Sequence, residues 1–185
     1  MNKQQALATV AGEMNVPVQW LDSLIQFESG WNPAARNKLS GARGLIQFMH
    51  TTAKAMGYKD ADDLYKKHSD EVSQLLGPVR KYFTLPGNRP PYPTPQSLYM
   101  TVFYPAARSW SPLKPFPDTV RKVNPGITLV RDYVNKVERR KVIEKAGISL
   151  ATIAIVAIGG YFLYTHFNKG ESESWTENPE QLTEN

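Results

Sequence analysis

The 185-residue chain contains no cysteine, which excludes a disulfide scaffold, a thiolate nucleophile and a zinc–thiolate site. Histidine is scarce: His50, His68 and His166 are the only three, none in H-x-x-x-H spacing, so a catalytic metal cage is not expected. Glycine, at 12 residues, is too sparse for a collagen-like chain, and 41% apolar residues are too many for a disordered one. No internal repeat is visible. An apolar leader core is also missing, because Met1–Gln5 is polar and the following residues are amphipathic. Acidic residues are absent from two long stretches, 29–59 and 72–117.

Charge is present but uneven. Residues 1–145 hold 21 Lys and Arg against 12 Asp and Glu, a balance of +9, whereas residues 146–185 hold one against five, a balance of −4. A basic surface fits nucleic acid, anionic lipid or an acidic wall polymer, and equally a solvated surface with no partner. No helix-turn-helix or aromatic–basic pattern accompanies it, so nucleic acid is not expected.

One apolar run is long. Ala146 to Asn168 is 23 residues without a formal charge, and a bilayer core needs about 20 predominantly apolar residues, so this stretch reads as a single transmembrane helix, 146–168. Tyr161 and Tyr164 near one end suit an interfacial belt. Lys136, Arg139, Arg140, Lys141 and Lys145 precede the run and acidic residues follow it, which places the N-terminal part on the cytoplasmic side. The tail, 169–185, is acidic and polar and reads as disordered.

The rest reads as all-α. Leu7, Val10, Ala11 and Met14 lie at helical spacing within Asn2–Asn15, and a second helix runs from Pro17 to about Ser29, stopped by Gly30. A loop over Asn32–Arg43 leads to a short apolar stretch, Gly44–Met49, and a helical turn, Thr51–Met56. Ser69 is the expected cap of a helix carrying Val72, Leu75, Leu76, Val79 and Phe83, kinked at Gly77-Pro78. Thr94-Pro95 opens another. Eleven of the fourteen prolines lie between Pro78 and Pro125. Segment 111–127 is therefore expected to be a Pro-rich connector and 128–145 a basic juxtamembrane helix.

Glu28 stands out chemically. Leu21, Leu24, Ile25 and Glu28 are spaced i, i+3, i+4 and i+7, so the carboxyl group ends the apolar stripe of the second helix. Desolvation disfavours the charged form of such a group, which suits a general acid. The plain alternative is a helix-end Glu that bends out to water. Glycoside hydrolysis generally uses two carboxylates, and the neighbourhood supplies only this one. Asp22, six residues earlier, lies about two-thirds of a turn away from the Glu28 direction.

Glu28-Ser29, Asn32-Pro33, Ala35, Asn37, Gly41-Ala42, Gly44-Leu45-Ile46-Gln47, Met49 and Thr52-Ala53 together resemble the signature of the soluble, lysozyme-like lytic transglycosylases. The resemblance spans roughly residues 5–110, and the variant resembles the transglycosylases that phages carry in their virions. It implies a goose-lysozyme-like helical domain over 1–110 that cleaves the β-1,4 bond between N-acetylmuramic acid and N-acetylglucosamine and leaves a 1,6-anhydro sugar. Glu28 matches the catalytic acid. One acid suffices, because the muramoyl 6-hydroxyl serves as an internal nucleophile. Ser29, Asn37, Ser40, Gln47, Met49 and Tyr104 match substrate-side positions. Where the family has Tyr-Asn-Ala-Gly, this chain has Tyr104-Pro105-Ala106-Ala107, so one amide contact is lost.

No cofactor or metal is implied. The expected partners are peptidoglycan strands, the lipid bilayer through 146–168, and capsid or other virion membrane proteins. A wall-cleaving domain on the cytoplasmic side fits a phage whose internal membrane turns that face outward, where the enzyme opens the wall for genome delivery. The alternatives are a lysozyme-type muramidase, with Asp60, Asp62, Asp63 or Asp118 as second carboxylate, and a non-catalytic, membrane-anchored virion component that binds glycan.

Overall fold

The computed structural model describes residues 1–145. The expected span 146–168 and tail 169–185 lie outside the described residues. Among the described residues no helix is long and apolar enough to cross a membrane.

Helix α1 (Lys3–Glu13) starts at a reciprocal cap in which the Asn2 side chain accepts from the Gln5 amide and Gln5 returns the bond. Helix α2 (Val18–Ser29) follows, with Pro17 as the flanking residue and Gly30 at φ 62 ending it in the left-handed conformation. A loop held by isolated bridges, Arg36 with Arg43 and Arg43 with Phe48, leads to α3 (His50–Ala55). Helix α4 (Ala61–Lys67) has no counterpart in the sequence reading. Asp60 caps it, accepting from the Asp63 amide at 2.8 Å.

The next helix is capped by Asp70 rather than the expected Ser69: its Oδ1 accepts from the Ser73 amide at 2.9 Å. A carboxylate so bonded, here by backbone and side chain of Ser73, is held below its usual pKa range. The kink expected at Gly77-Pro78 is a π turn, Leu75–Val79, between α5 (Glu71–Gln74) and α6 (Arg80–Tyr82). The wider turn accommodates a proline whose ring clashes with a regular α-helix. The proline-rich connection after it is pinned by Arg108, whose guanidinium donates to the carbonyls of Gly87, Arg89 and Pro91.

Helix α7 (Pro95–Phe103) is capped by Thr94, and α8 (Asp118–Val123) and α9 (Val130–Lys145) complete the described chain. Among the described residues there are helices and isolated bridges but no strand. The core does not end near residue 110. Phe116, Val120, Ile127, Val130, Tyr133 and Val137 are buried in the same cluster as Leu21, Leu24 and Ile25. Residues 111–127 thus contribute core side chains instead of only connecting, and the first two turns of α9 are a core helix. Its stripe Val130, Tyr133 and Val137 has the i, i+3, i+7 spacing of a face that packs against protein. Tyr133 lies where three elements meet. Its ring stacks on Phe103 of α7 with centroids 4.2 Å apart and meets Phe27 of α2 in a T-shaped contact at 5.3 Å.

Candidate functional site

Glu28 occupies the last turn of α2 and is half-buried, beyond Leu21, Leu24 and Ile25, which are wholly buried. The Tyr133 hydroxyl donates to its Oε1 at 2.5 Å. Burial first, then the charge and hydrogen bond of Glu28, push the Tyr133 hydroxyl far above its ordinary pKa. It therefore stays a donor across any working pH. Two more buried tyrosines stand in the same electrostatic neighbourhood. Tyr82 donates to the Thr101 carbonyl at 2.7 Å, and Tyr99 donates to Glu138 of α9. Burial is the main cause of the upward shift in both, joined at Tyr99 by the Glu138 bond.

Ser29 donates back into its own helix, to the Ile25 carbonyl at 3.1 Å. The loop residues Asn37 and Ser40 spend their side-chain oxygens on the loop itself. Asn37 Oδ1 accepts from the amides of Leu39 and Ser40 at 2.9 and 3.1 Å, and Ser40 Oγ accepts from the Ala42 amide at 3.3 Å. Gln47 is buried and left-handed at φ 53, with its amide donating to the Gly44 carbonyl at 3.0 Å. A non-glycine residue held there costs on the order of 1–3 kcal/mol, a strain found preferentially at functional sites. Met49 is buried beside it at the start of α3. Tyr104 is buried at the end of α7, with its ring 5.6 Å from both Trp110 and Phe116. Pro105 begins a 3-10 turn, Pro105–Ala107.

The other carboxylates weighed as a second acid are engaged elsewhere. Asp22 accepts from the Trp31 indole at 3.0 Å, and Asp62 pairs with Arg43 at 2.8 Å and Arg36 at 3.5 Å. Asp60 is the α4 cap, Asp63 pairs with Lys67 at 2.9 Å, and Asp118 pairs with Arg121. An open groove of about 760 Å³ runs along Pro93, Gln96, Arg108, Trp110 and Val134, and neither Glu28 nor Gln47 lines it.

Two residues that complete this constellation were not singled out by the sequence reading. Tyr133 falls within the stretch 128–145 that the sequence reading gives only as a basic juxtamembrane helix. The signal available was the core-type stripe on α9, which is unlike a helix uniformly apolar for lipid. Gln74 carries no sequence signal beyond a polar residue between Ser73 and the apolar Leu75.

The described chain is thus a helical domain that presents one carboxylate from the end of an apolar stripe, with a buried tyrosine holding it. Residues 6–77 match the family model for the transglycosylase SLT domain, and the chain carries that lysozyme-like domain there. Members of the family are lytic transglycosylases acting on peptidoglycan. The matched span ends before α7 and α9, so Tyr133 lies outside it. No solved structure matches the chain.

Proposed function

We propose that this chain is a peptidoglycan lytic transglycosylase with Glu28 as its single general acid–base. The observation that carries the reading is the half-buried Glu28, tied to the Tyr133 hydroxyl at 2.5 Å, inside the transglycosylase domain. Glu28 gives its proton to the β-1,4 glycosidic oxygen as the bond to the muramoyl anomeric carbon breaks. The resulting carboxylate takes the proton of the muramoyl 6-hydroxyl, whose oxygen closes on that carbon. The proton lost in the first step is regained in the second, and no water is consumed. Tyr133 orients the carboxyl group throughout and takes no part in the proton balance. Ser29, Asn37, Ser40, Gln47, Met49 and Tyr104 form the substrate side, with Asn37 and Ser40 acting through the loop shape they impose.

The engaged state of Asp22, Asp60, Asp62, Asp63 and Asp118 supports a one-carboxylate mechanism over a muramidase mechanism. Mass spectrometry of muropeptides released from purified sacculi by the full chain in detergent tests this. Products one water lighter than reducing-end muropeptides are expected from the native chain and none from Glu28→Gln. Reducing-end products would replace the reading with a hydrolase, and no release would leave a wall-binding component.

The location is part of the same proposal. Residues 146–168 form one membrane span, the basic residues before it hold the domain on the cytoplasmic side, and the membrane is that of a phage virion, from which the enzyme opens the host wall. Lys136, Arg139, Arg140, Lys141 and Lys145 before the run, against Lys169 alone after it, support this orientation. Recovery of the chain from bacterial periplasm, and its absence from purified virions, would overturn it.

A further inference from the structure

We infer that Gln74 is a positioning residue, a clamp that sets the shape of the loop carrying Asn37, Ser40 and Gln47; as a role in catalysis this rests on the transglycosylase reading above. Gln74 is wholly buried. Its Oε1 accepts from the Leu45 amide at 2.8 Å, and its Nε2 donates to the carbonyls of Pro33 at 2.8 Å and His68 at 2.9 Å. Each hydrogen of the amide has one partner and the oxygen has another, so the group is oriented by its surroundings. Pro33 and Leu45 stand toward opposite ends of the loop between α2 and α3, and His68 belongs to the joint between α4 and α5. One carboxamide therefore ties both points of the loop to the helical body.

The neighbouring residues are built around this contact. Gly44 sits at φ +81, and a Cβ there would stand 2.5 Å from Gln74 Oε1. Gln47, two residues past Leu45, donates to the Gly44 carbonyl at 3.0 Å, so its own position depends on the clamped backbone. Gln74 is also the residue from which the π turn departs, and such turns concentrate at functional sites. Neither of its two nearest chemical relatives keeps all three bonds. Glutamate sets a carboxylate oxygen against two carbonyls, and asparagine is one methylene too short to reach all three partners.

The test is hydrogen–deuterium exchange on the full chain in detergent, native against Gln74→Glu and Gln74→Asn, paired with sacculus kinetics. Exchange in peptides covering 34–47 is expected to rise about tenfold or more, the factor that about 1.4 kcal/mol of lost hydrogen bonding gives. Peptides from α1 and α2 should exchange as in the native chain, and KM for sacculi should rise severalfold more than kcat falls. Unchanged exchange over 34–47, or an equal rise across the whole domain, would overturn the clamp. So would failure of both variants to fold, because Gln74 would then be a general stability residue. If the native chain releases no anhydro product, the transglycosylase reading fails while the exchange result still decides the clamp.

Discussion

The Tyr133 hydroxyl donates to Glu28 Oε1 at 2.5 Å, joining residues 105 positions apart. The donor comes from α9, beyond the span that matches the transglycosylase domain. The acid at the end of α2 is therefore held by a helix that the sequence pattern assigns to the membrane approach. Tyr133→Phe keeps the stacking on Phe103 and the edge contact with Phe27 and removes only the donor. A hydrogen bond to a charged group contributes about 1.5–3 kcal/mol, so kcat on sacculi should fall roughly tenfold to a hundredfold. The same bond stabilises the fold, so the melting temperature should fall by several degrees as well, and kcat is compared at a temperature where both proteins are folded. An unchanged kcat would show that Tyr133 serves packing alone.

A chain ending at residue 110 should fail to fold. It lacks Phe116, Val120, Ile127, Val130, Tyr133 and Val137, all members of the one core, and exposes the faces of α2 and α7 that they cover. Loss of one large buried aromatic costs about 3–5 kcal/mol, comparable to much of the net stability of a small domain. A chain ending at 145 keeps all six and should give a cooperative thermal transition. Circular dichroism of the two fragments decides it, and a folded 1–110 fragment would disprove the shared core.

Gly44→Ala should destabilise the loop and the fold together. The φ of +81 strains any side chain, and the added carbon meets Gln74 Oε1 at 2.5 Å, where three hydrogen bonds prevent retreat. Backbone strain and a weakened buried amide together amount to about 2–3 kcal/mol. Urea denaturation of the two proteins measures the difference. A loss under about 0.5 kcal/mol, the range of ordinary surface substitutions, would contradict it.

His68 gives stability a pH dependence above the carboxylate range. Burial holds its imidazole below the ordinary value, and its Nε2 shares a hydrogen bond of 2.9 Å with the Tyr58 hydroxyl. The unfolded chain therefore binds a proton near pH 6.5 that the folded chain refuses, so stability falls as pH drops from about 7 through 6. The loss stops once the folded imidazole also protonates. Melting temperatures of native protein should decline across pH 7.5 to 5.5, and those of His68→Gln should decline less. Parallel curves would show that other groups carry the dependence.

Much of the helical framework could be read from residue order. The stripes of α1 and α2, the stop at Gly30, the cap at Thr94 and the break at Gly77-Pro78 depend on spacing and local backbone chemistry. Those terms act within one or two turns. Helix α4 leaves little trace in the sequence because its seven residues carry only Ala61 and Leu64 to the core. Ser69 and Asp70 both suit the cap by residue type, and the choice between them depends on which side chain reaches Ser73.

Residue order alone carries the all-helical class, the prominence of Glu28 at the end of an apolar stripe and the transglycosylase signature around it. Each is a pattern of near neighbours along the chain. Packing of the whole chain is what makes 111–137 add side chains to the same core, sets Tyr133 against Glu28, and lets Gln74 tie Pro33 and Leu45, toward opposite ends of the loop between α2 and α3, to the helical body. Those facts join residues 105, 41 and 29 positions apart. No local preference encodes such pairings, because they arise only when buried polar groups must find partners inside a packed core.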